Sequence, residues 1–231
     1  MSPQDADQGA VPLRRTPRQA RSRARLALVL RAAERVLVAE GVEALTTTRV
    51  AAEAEVSVGS LYQYLPDRDA LIDALAAGYF ARIETAMDDL VRAAAAERWE
   101  DPVGVLLDAF AGIYRTEHGF RALWFGSGLT ERTRTADREH KRRMADGVRR
   151  VLLALDMADD DEALARVGHA AILAADALAQ EAFRRDPAGD AALLEEAKVM
   201  LRGYLGAVVA RYPAREGGIR AADRGTRPAG R

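Results

Sequence analysis

Apolar residues recur at helical spacing along almost the whole chain. Leu26, Leu30, Ala33 and Leu37 fall at i, i+4, i+7 and i+11, one face of a helix. Thr16-Pro17-Arg18-Gln19 offers an N-cap, proline at the first helical position and glutamine three residues after the cap. Gly41 follows the last periodic residues as a left-handed stop, so the first helix is expected over roughly Pro17 to Glu40. Thr46 can cap a short second helix that turns Val50, Ala51 and Ala54 inward. Ser57 can cap a third over Val58–Tyr64, which Pro66 ends because the residue before proline is pushed out of helical geometry. Asp67 or Asp69 can cap a fourth, with Leu71, Leu75, Tyr79 and Ile83 along one side.

Beyond Arg82 the pattern stays helical. It predicts segments at 69–97, 102–117, 120–127, 132–155, 161–185 and 189–211, broken at Asp101-Pro102, His118-Gly119, Gly126-Ser127-Gly128, Asp156–Asp161 and Asp186-Pro187-Ala188-Gly189. The fold class is therefore all-α. The expected organisation is a disordered arm at 1–15, a helix-turn-helix domain at 16–80, a larger helical domain at 81–211 and a disordered basic tail at 212–231.

Composition narrows the function. The 231 residues carry a formal net charge of −1, so bulk positive charge cannot attract nucleic acid. A local patch can: Arg14, Arg15, Arg18, Arg21, Arg23, Arg25, Arg31 and Arg35 crowd one stretch opposed only by Glu34. Ahead of a helix-turn-helix, such a cluster points to phosphate. The absence of cysteine excludes disulfides and thiolate catalysis. No run of about 18 uncharged apolar residues suggests a membrane span, and the acidic start MSPQDADQGAVPL lacks the apolar core of a secretory signal. A cytoplasmic protein is expected.

The third helix reads Ser57-Val58-Gly59-Ser60-Leu61-Tyr62-Gln63-Tyr64. Leu61 and Leu65, four apart, should face the first helix and anchor the element. A helix start presents free N–H groups and a positive dipole end to phosphate or base edges. Gly59 leaves room for close approach, Ser60 can hydrogen-bond, Val58 can meet a thymine methyl, and Tyr62 and Tyr64 can reach phosphates. A tyrosine on a short helix is more often a packing residue, but two tyrosines, a glycine and a serine crowded after a turn favour DNA.

The stretch from about Arg21 to Phe80, a quarter of the chain, resembles the N-terminal domain of TetR/AcrR-type transcriptional regulators. The resemblance rests on the glycine-terminated first helix, Thr46, the Val50-Ala51 pair and the run Val56-Ser57-Val58-Gly59-Ser60-Leu61-Tyr62-Gln63-Tyr64-Leu65-Pro66-Asp67-Arg68. Glu55 departs from it, standing where the family has glycine in the turn and where a side chain would be strained at positive φ. The resemblance implies phosphate contacts from Thr46, Thr47, Tyr62, Tyr64 and Arg68, with Val58, Gly59 and Ser60 nearest the bases; Ser57 and Gln63 complete the DNA-binding set. It also implies a homodimer on palindromic double-stranded operator DNA, most often a repressor, released by a small-molecule inducer. No HExxH, P-loop, GxSxG or repeated Asp/Glu–His spacing occurs, and with three histidines and no cysteine neither a metal, a cofactor nor a catalytic centre is expected.

Segments 161–185 and 189–211 form an Ala- and Leu-rich hairpin (Leu164, Ala171, Ala175, Leu178; Leu194, Val199, Leu201, Leu205, Val208) that could double across a two-fold axis into a four-helix interface, or bury itself in the monomer. Phe110, Tyr114, Phe120, Trp124, Phe125, Phe183 and Met144 are candidate walls of a ligand pocket, though most of them are expected in an ordinary core. His169, Asp176 and Gln180, at i, i+7 and i+11, share a face and could supply polar recognition, although burial with partners across the dimer, or exposure at the surface, is the more expected role. Two rivals stand beside the regulator. One is a helical ligand-binding or scaffolding dimer with a vestigial DNA-binding domain, hinted at by Glu55; the other is an enzyme using Asp176 and His169.

Overall fold

Side-chain caps set most of the helix starts among the described residues. A computed structural model describes residues 20–160 and 162–211; the arm at 1–15, the Thr16-Pro17 helix start and the tail at 212–231 lie outside the described residues. The helices are α1 (Ala20–Glu40), α2 (Thr47–Glu53), α3 (Val58–Tyr62), α4 (Arg68–Ala96), α5 (Pro102–Thr116), α6 (His118–Trp124), α7 (Glu131–Ala154), α8 (Glu162–Arg185) and α9 (Ala191–Arg211). The described residues contain no strand. Thr46 caps α2, its hydroxyl accepting from the Arg49 N–H at 3.1 Å. Ser57 caps α3, accepting from the Ser60 N–H at 3.1 Å. Asp67, not Asp69, caps α4, accepting from the Ala70 N–H at 2.8 Å.

Three local features differ from the sequence reading. A 3-10 turn over Val42–Ala44 follows α1, entered through Gly41 at φ 83° and ψ 175°, a region open essentially to glycine alone. Helix α3 closes at Tyr62, two residues early, because Pro66 forces the chain out and the last turn tightens. Helix α6 begins at His118, not 120: Gly119 is no break but a buried helical residue whose missing Cβ leaves space for the Tyr79 hydroxyl.

The α1 face that packs is also offset from the expected one. Val29, Ala32, Ala33, Val36 and Leu37 are buried, while Leu26 and Leu30 are only partly so. Leu61 and Leu65 are fully buried, as are Val50 and Ala51, so α2 and α3 are held by one core with α1 and α4. That core continues into the C-terminal helices. Gly147 lets α7 close onto Met87 of α4, and Gly168 brings α8 onto α7, where a Cβ would sit 2.6 Å from the Ala145 carbonyl. A smaller cluster of Val103, Leu107, Ala197 and Leu201 joins α5 to α9.

One polar clasp crosses this core. The carboxylate of Asp73, on α4, is 6% exposed and accepts hydrogen bonds from the hydroxyls of Thr130 (2.5 Å) and Thr133 (2.6 Å). Thr130 is also the N-cap of α7, so the beginning of α7 is fixed to the helix that leads directly out of α3. Helix α4 runs unbroken through residue 80, where the sequence reading placed a domain boundary.

Candidate nucleic-acid interface and ligand cavity

The turn between α2 and α3 is a Schellman motif. The Glu55 N–H donates to the Ala52 carbonyl and the Val56 N–H to the Ala51 carbonyl, at 3.2 and 3.0 Å. Glu55 takes φ 53°, the left-handed conformation anticipated for it, so the turn keeps its shape without glycine. That shape sets the angle at which α3 leaves α2.

On α3 the inward residue is Leu61. Ser57, Gly59, Tyr62 and Gln63 are exposed, and Val58 and Ser60 partly so. A Cβ added at Gly59 would meet nothing within 4 Å, so the space in front of this residue is open. The Tyr62 hydroxyl lies 3.3 Å from Thr47 Oγ1, joining the outward ends of α2 and α3, and Thr46 is exposed beside them. Arg25 of α1 donates to Ser60 Oγ at 3.4 Å, bringing part of the arginine cluster to the same surface.

Two expected phosphate ligands are placed otherwise. Tyr64, two residues past the end of α3, is 6% exposed and packs in the core. Arg68 donates to the Val42 carbonyl at 2.8 Å and lies 3.6 Å from Glu43, so it ties the 3-10 turn to α4. Arg35 likewise is held by Glu53 at 2.9 Å, bracing α1 against α2. Arg14, Arg15 and Arg18 lie outside the described residues.

The C-terminal helices enclose a cavity of about 60 Å³ between α4, α5, α6, α7 and α8. Phe110, Tyr114, Phe120, Met144 and Asp176 line it, together with Ile83, Asp137, His140 and Lys141. A second space of about 60 Å³, with a wholly apolar wall, adjoins it toward α9; Leu107, Phe110, Ile172 and Ala175 line both.

Four of the proposed pocket residues lie outside both spaces. Phe183 is buried and stacks on Tyr114 with centroids 5.0 Å apart, while Trp124 stacks on Phe120 at 4.4 Å; both are part of the wall's backing. Phe125 sits behind Tyr114 at 6.4 Å. His169 lines an open groove with Arg142, Arg149 and Arg166. Its seven-residue offset from Asp176 puts it about 10 Å away along α8, towards the start of that helix. His169 and Asp176 therefore share no site, which removes the basis of the enzyme rival.

The polar end of the cavity was missed in the sequence. Lys141 Nζ lies 2.7 Å from Asp137 Oδ2 and 2.9 Å from Asp176 Oδ2. The Tyr114 hydroxyl donates to Asp176 Oδ1 at 3.3 Å and Gln180 Nε2 to Oδ2 at 2.8 Å. Burial works against the Lys141 charge, but the Asp176 and Asp137 carboxylates outweigh it and hold its pKa above the usual lysine value. Burial, reinforced by Asp176, pushes the Tyr114 phenol up, so it stays a donor. His140, stacked on Phe80 and 2.7 Å from Glu84, is held below the ordinary imidazole value by burial, against the pull of Glu84. It is neutral near pH 7. Asp137, His140, Lys141 and Met144 follow i, i+3, i+4, i+7, a spacing legible in the sequence, but α7 is so rich in charge that it reads as a solvated face.

A capped helix pair with a polar, solvent-facing outer side, fixed through one long helix to a cavity-bearing helical domain, defines a DNA-binding regulator. Residues 29–75 match the family described as bacterial regulatory proteins, tetR family, and residues 97–209 match the tetracyclin repressor-like C-terminal domain. A TetR-family transcriptional regulator from Streptomyces coelicolor is 31% identical over 81% of this chain and 99% of its own, with a TM-score of 0.63. The chain belongs to the TetR family of transcriptional regulators. Two more distant solved structures share the fold. Thermus thermophilus FadR, a TetR-family repressor in complex with lauroyl-CoA, is 23% identical over 83% of this chain and 99% of its own (TM-score 0.56). The SmeT–triclosan complex is 16% identical over 89% and 100% (TM-score 0.54). No curated protein matches the chain. Among the described residues, no helix is long and apolar enough to cross a membrane.

Proposed function

We propose that the protein is a cytoplasmic, non-enzymatic repressor that binds a palindromic operator as a homodimer and is released by a small-molecule inducer held in the α4–α8 cavity. The observation that carries the DNA-binding half is the face of α3: Gly59, Ser60 and Tyr62 are presented outward by a helix whose other side, Leu61, is fully buried. Gly59 has open space around it, and the internal hydrogen bonds of Ser60 and Tyr62 lie on the same outward surface. Thr46, Thr47, Ser57, Val58 and Gln63 flank them and complete the contact surface.

Dimerisation draws support from α8 and α9. Leu173, Val199, Met200 and Tyr204 are large apolar residues left exposed there. Gly203 and Gly206 lie inside α9, where glycine costs helix stability, yet a Cβ at either would meet nothing within 4 Å. Close approach of a second backbone explains both.

Inducer and DNA then oppose each other by reciprocal coupling. Ile83 of α4 lines the cavity, and α7 carries both Asp137 and Lys141 at the cavity and the threonines that grip Asp73 near the start of α4. A ligand that spreads these helices tilts α4 and changes the separation of the paired α3 helices from the roughly 34–36 Å needed for successive major-groove half-sites. The lauroyl-CoA and triclosan complexes of FadR and SmeT favour a small-molecule signal over a purely structural C-terminal domain. Footprinting the purified protein on DNA upstream of its own coding sequence tests the reading. Two protected half-sites related by a dyad are expected; binding without sequence preference, or none, would favour the scaffolding dimer.

A further inference from the structure

The two adjoining spaces differ sharply in chemistry, and the difference selects a ligand. The inner wall toward α9, formed by Val103, Leu106, Val148, Leu152, Leu201 and Leu205, offers no charged group. The other end concentrates two carboxylates, Asp137 and Asp176, against one ammonium, Lys141. His140 adds no charge near pH 7, and the nearby Glu84 is engaged by Arg143 at 2.9 Å. A ligand anion placed here would face two like charges and one opposite. A ligand cation would face the reverse.

Lys141 is itself the clue to the geometry. Its ammonium sits between the carboxylates as an internal counter-ion, at hydrogen-bonding distance from both. Its side chain keeps 21% exposure, so the flexible stem has a way out to solvent.

Resting on the reading that this cavity holds the inducer, we propose that the ligand is an amphiphilic cation, an alkyl or aryl ammonium. Its charge replaces Lys141 Nζ between Asp137 and Asp176, and its apolar tail runs past Phe110 into the apolar chamber. The two spaces together fall short of the roughly 300 Å³ of a common ligand pocket, so the tail parts the Leu107, Phe110, Ile172 and Ala175 partition as it enters. Displaced Lys141 pulls on α7, the helix clasped to α4.

Calorimetric titration of the full-length dimer with decylammonium, decanoate and decan-1-ol, each below its self-association limit, tests this. Decylammonium is expected to bind about tenfold or more tightly than decanoate, and its affinity to rise about fourfold per methylene from butylammonium to decylammonium. Lys141→Met should strengthen decylammonium binding by about tenfold, since it removes the competitor. Asp176→Asn, nearly isosteric, should weaken it by about tenfold and weaken the uncharged decan-1-ol far less, which separates loss of charge from loss of the cavity. Decanoate binding as tightly as decylammonium, or Lys141→Met weakening decylammonium, overturns the proposal. Decan-1-ol binding with no advantage for the ammonium overturns the ligand class but leaves the cavity as the inducer site. Failure of all three probes to bind overturns both.

Discussion

Replacing Glu55 by glycine should make the protein more stable. Glu55 occupies the C′ position of the Schellman motif that ends α2, at φ 53°. A side chain with a Cβ pays about 1–2 kcal/mol in that region. Glycine removes the strain, but it also frees the unfolded chain, which returns about 0.4–1 kcal/mol. The expected net gain is about 0.5–1 kcal/mol, or roughly 2–3 °C in Tm for a chain of this size. Removing the carboxylate could have its own effect, so Glu55→Ala is the control: it deletes the charge, keeps the Cβ and should gain nothing. Asp156 offers a second comparison. It holds φ 55° at the same position of a matching motif after α7, where the Asp156 and Met157 N–H groups donate to the Leu153 and Leu152 carbonyls. Aspartate tolerates this conformation better than glutamate, so Asp156→Gly should gain less. Thermal melts of the three variants at one protein concentration give the answer. If Glu55→Gly melts no higher than Glu55→Ala, the left-handed turn is not where strain resides.

Gly206→Leu should raise intrinsic helix stability in α9 by about 0.8 kcal/mol yet convert the dimer to a folded monomer; light scattering that still reports a dimer would place the interface elsewhere. Asp73→Ala leaves the Thr130 and Thr133 hydroxyls without their acceptor and should cost about 2–4 kcal/mol of stability, measured by urea denaturation. A loss under about 0.5 kcal/mol would mean the clasp contributes little to joining α4 and α7.

Helix boundaries were legible because they are local. Thr46, Ser57 and Asp67 are capping residues whose job is done within three positions, and Gly41 announces its own positive φ. Even the strain at Glu55 could be read, since the turn demands a conformation that the residue type resists. What depends on a distant partner was hidden. Gly119 looked like a break until Tyr79, forty residues earlier in the chain, filled its missing Cβ. Tyr64 looked like a phosphate ligand until the early end of α3 turned it into the core, and Arg68 until the Val42 carbonyl claimed it. The cavity's polar end was obscured in the same way. Asp137 and Lys141 belong to a helix dense with surface ion pairs, and only the approach of α8 with Asp176 makes that pair interior. His169 erred in the opposite direction: periodicity placed it on the Asp176 face, but two turns of α8 separate them and His169 lines an open groove instead of the cavity.

Helix α3 is the proposed DNA-reading surface, and Gly59 allows the most direct measurement of that role. The space around it is open, so Gly59→Glu disturbs no packing and replaces a poor helix residue by a better one. It sets a bulky negative charge where the phosphates and base edges would approach. Operator titrations of wild type and variant, run at one salt concentration beside their melting curves, should show affinity falling on the order of a hundredfold with Tm unchanged or higher. Equal operator affinity for the two proteins would contradict the account.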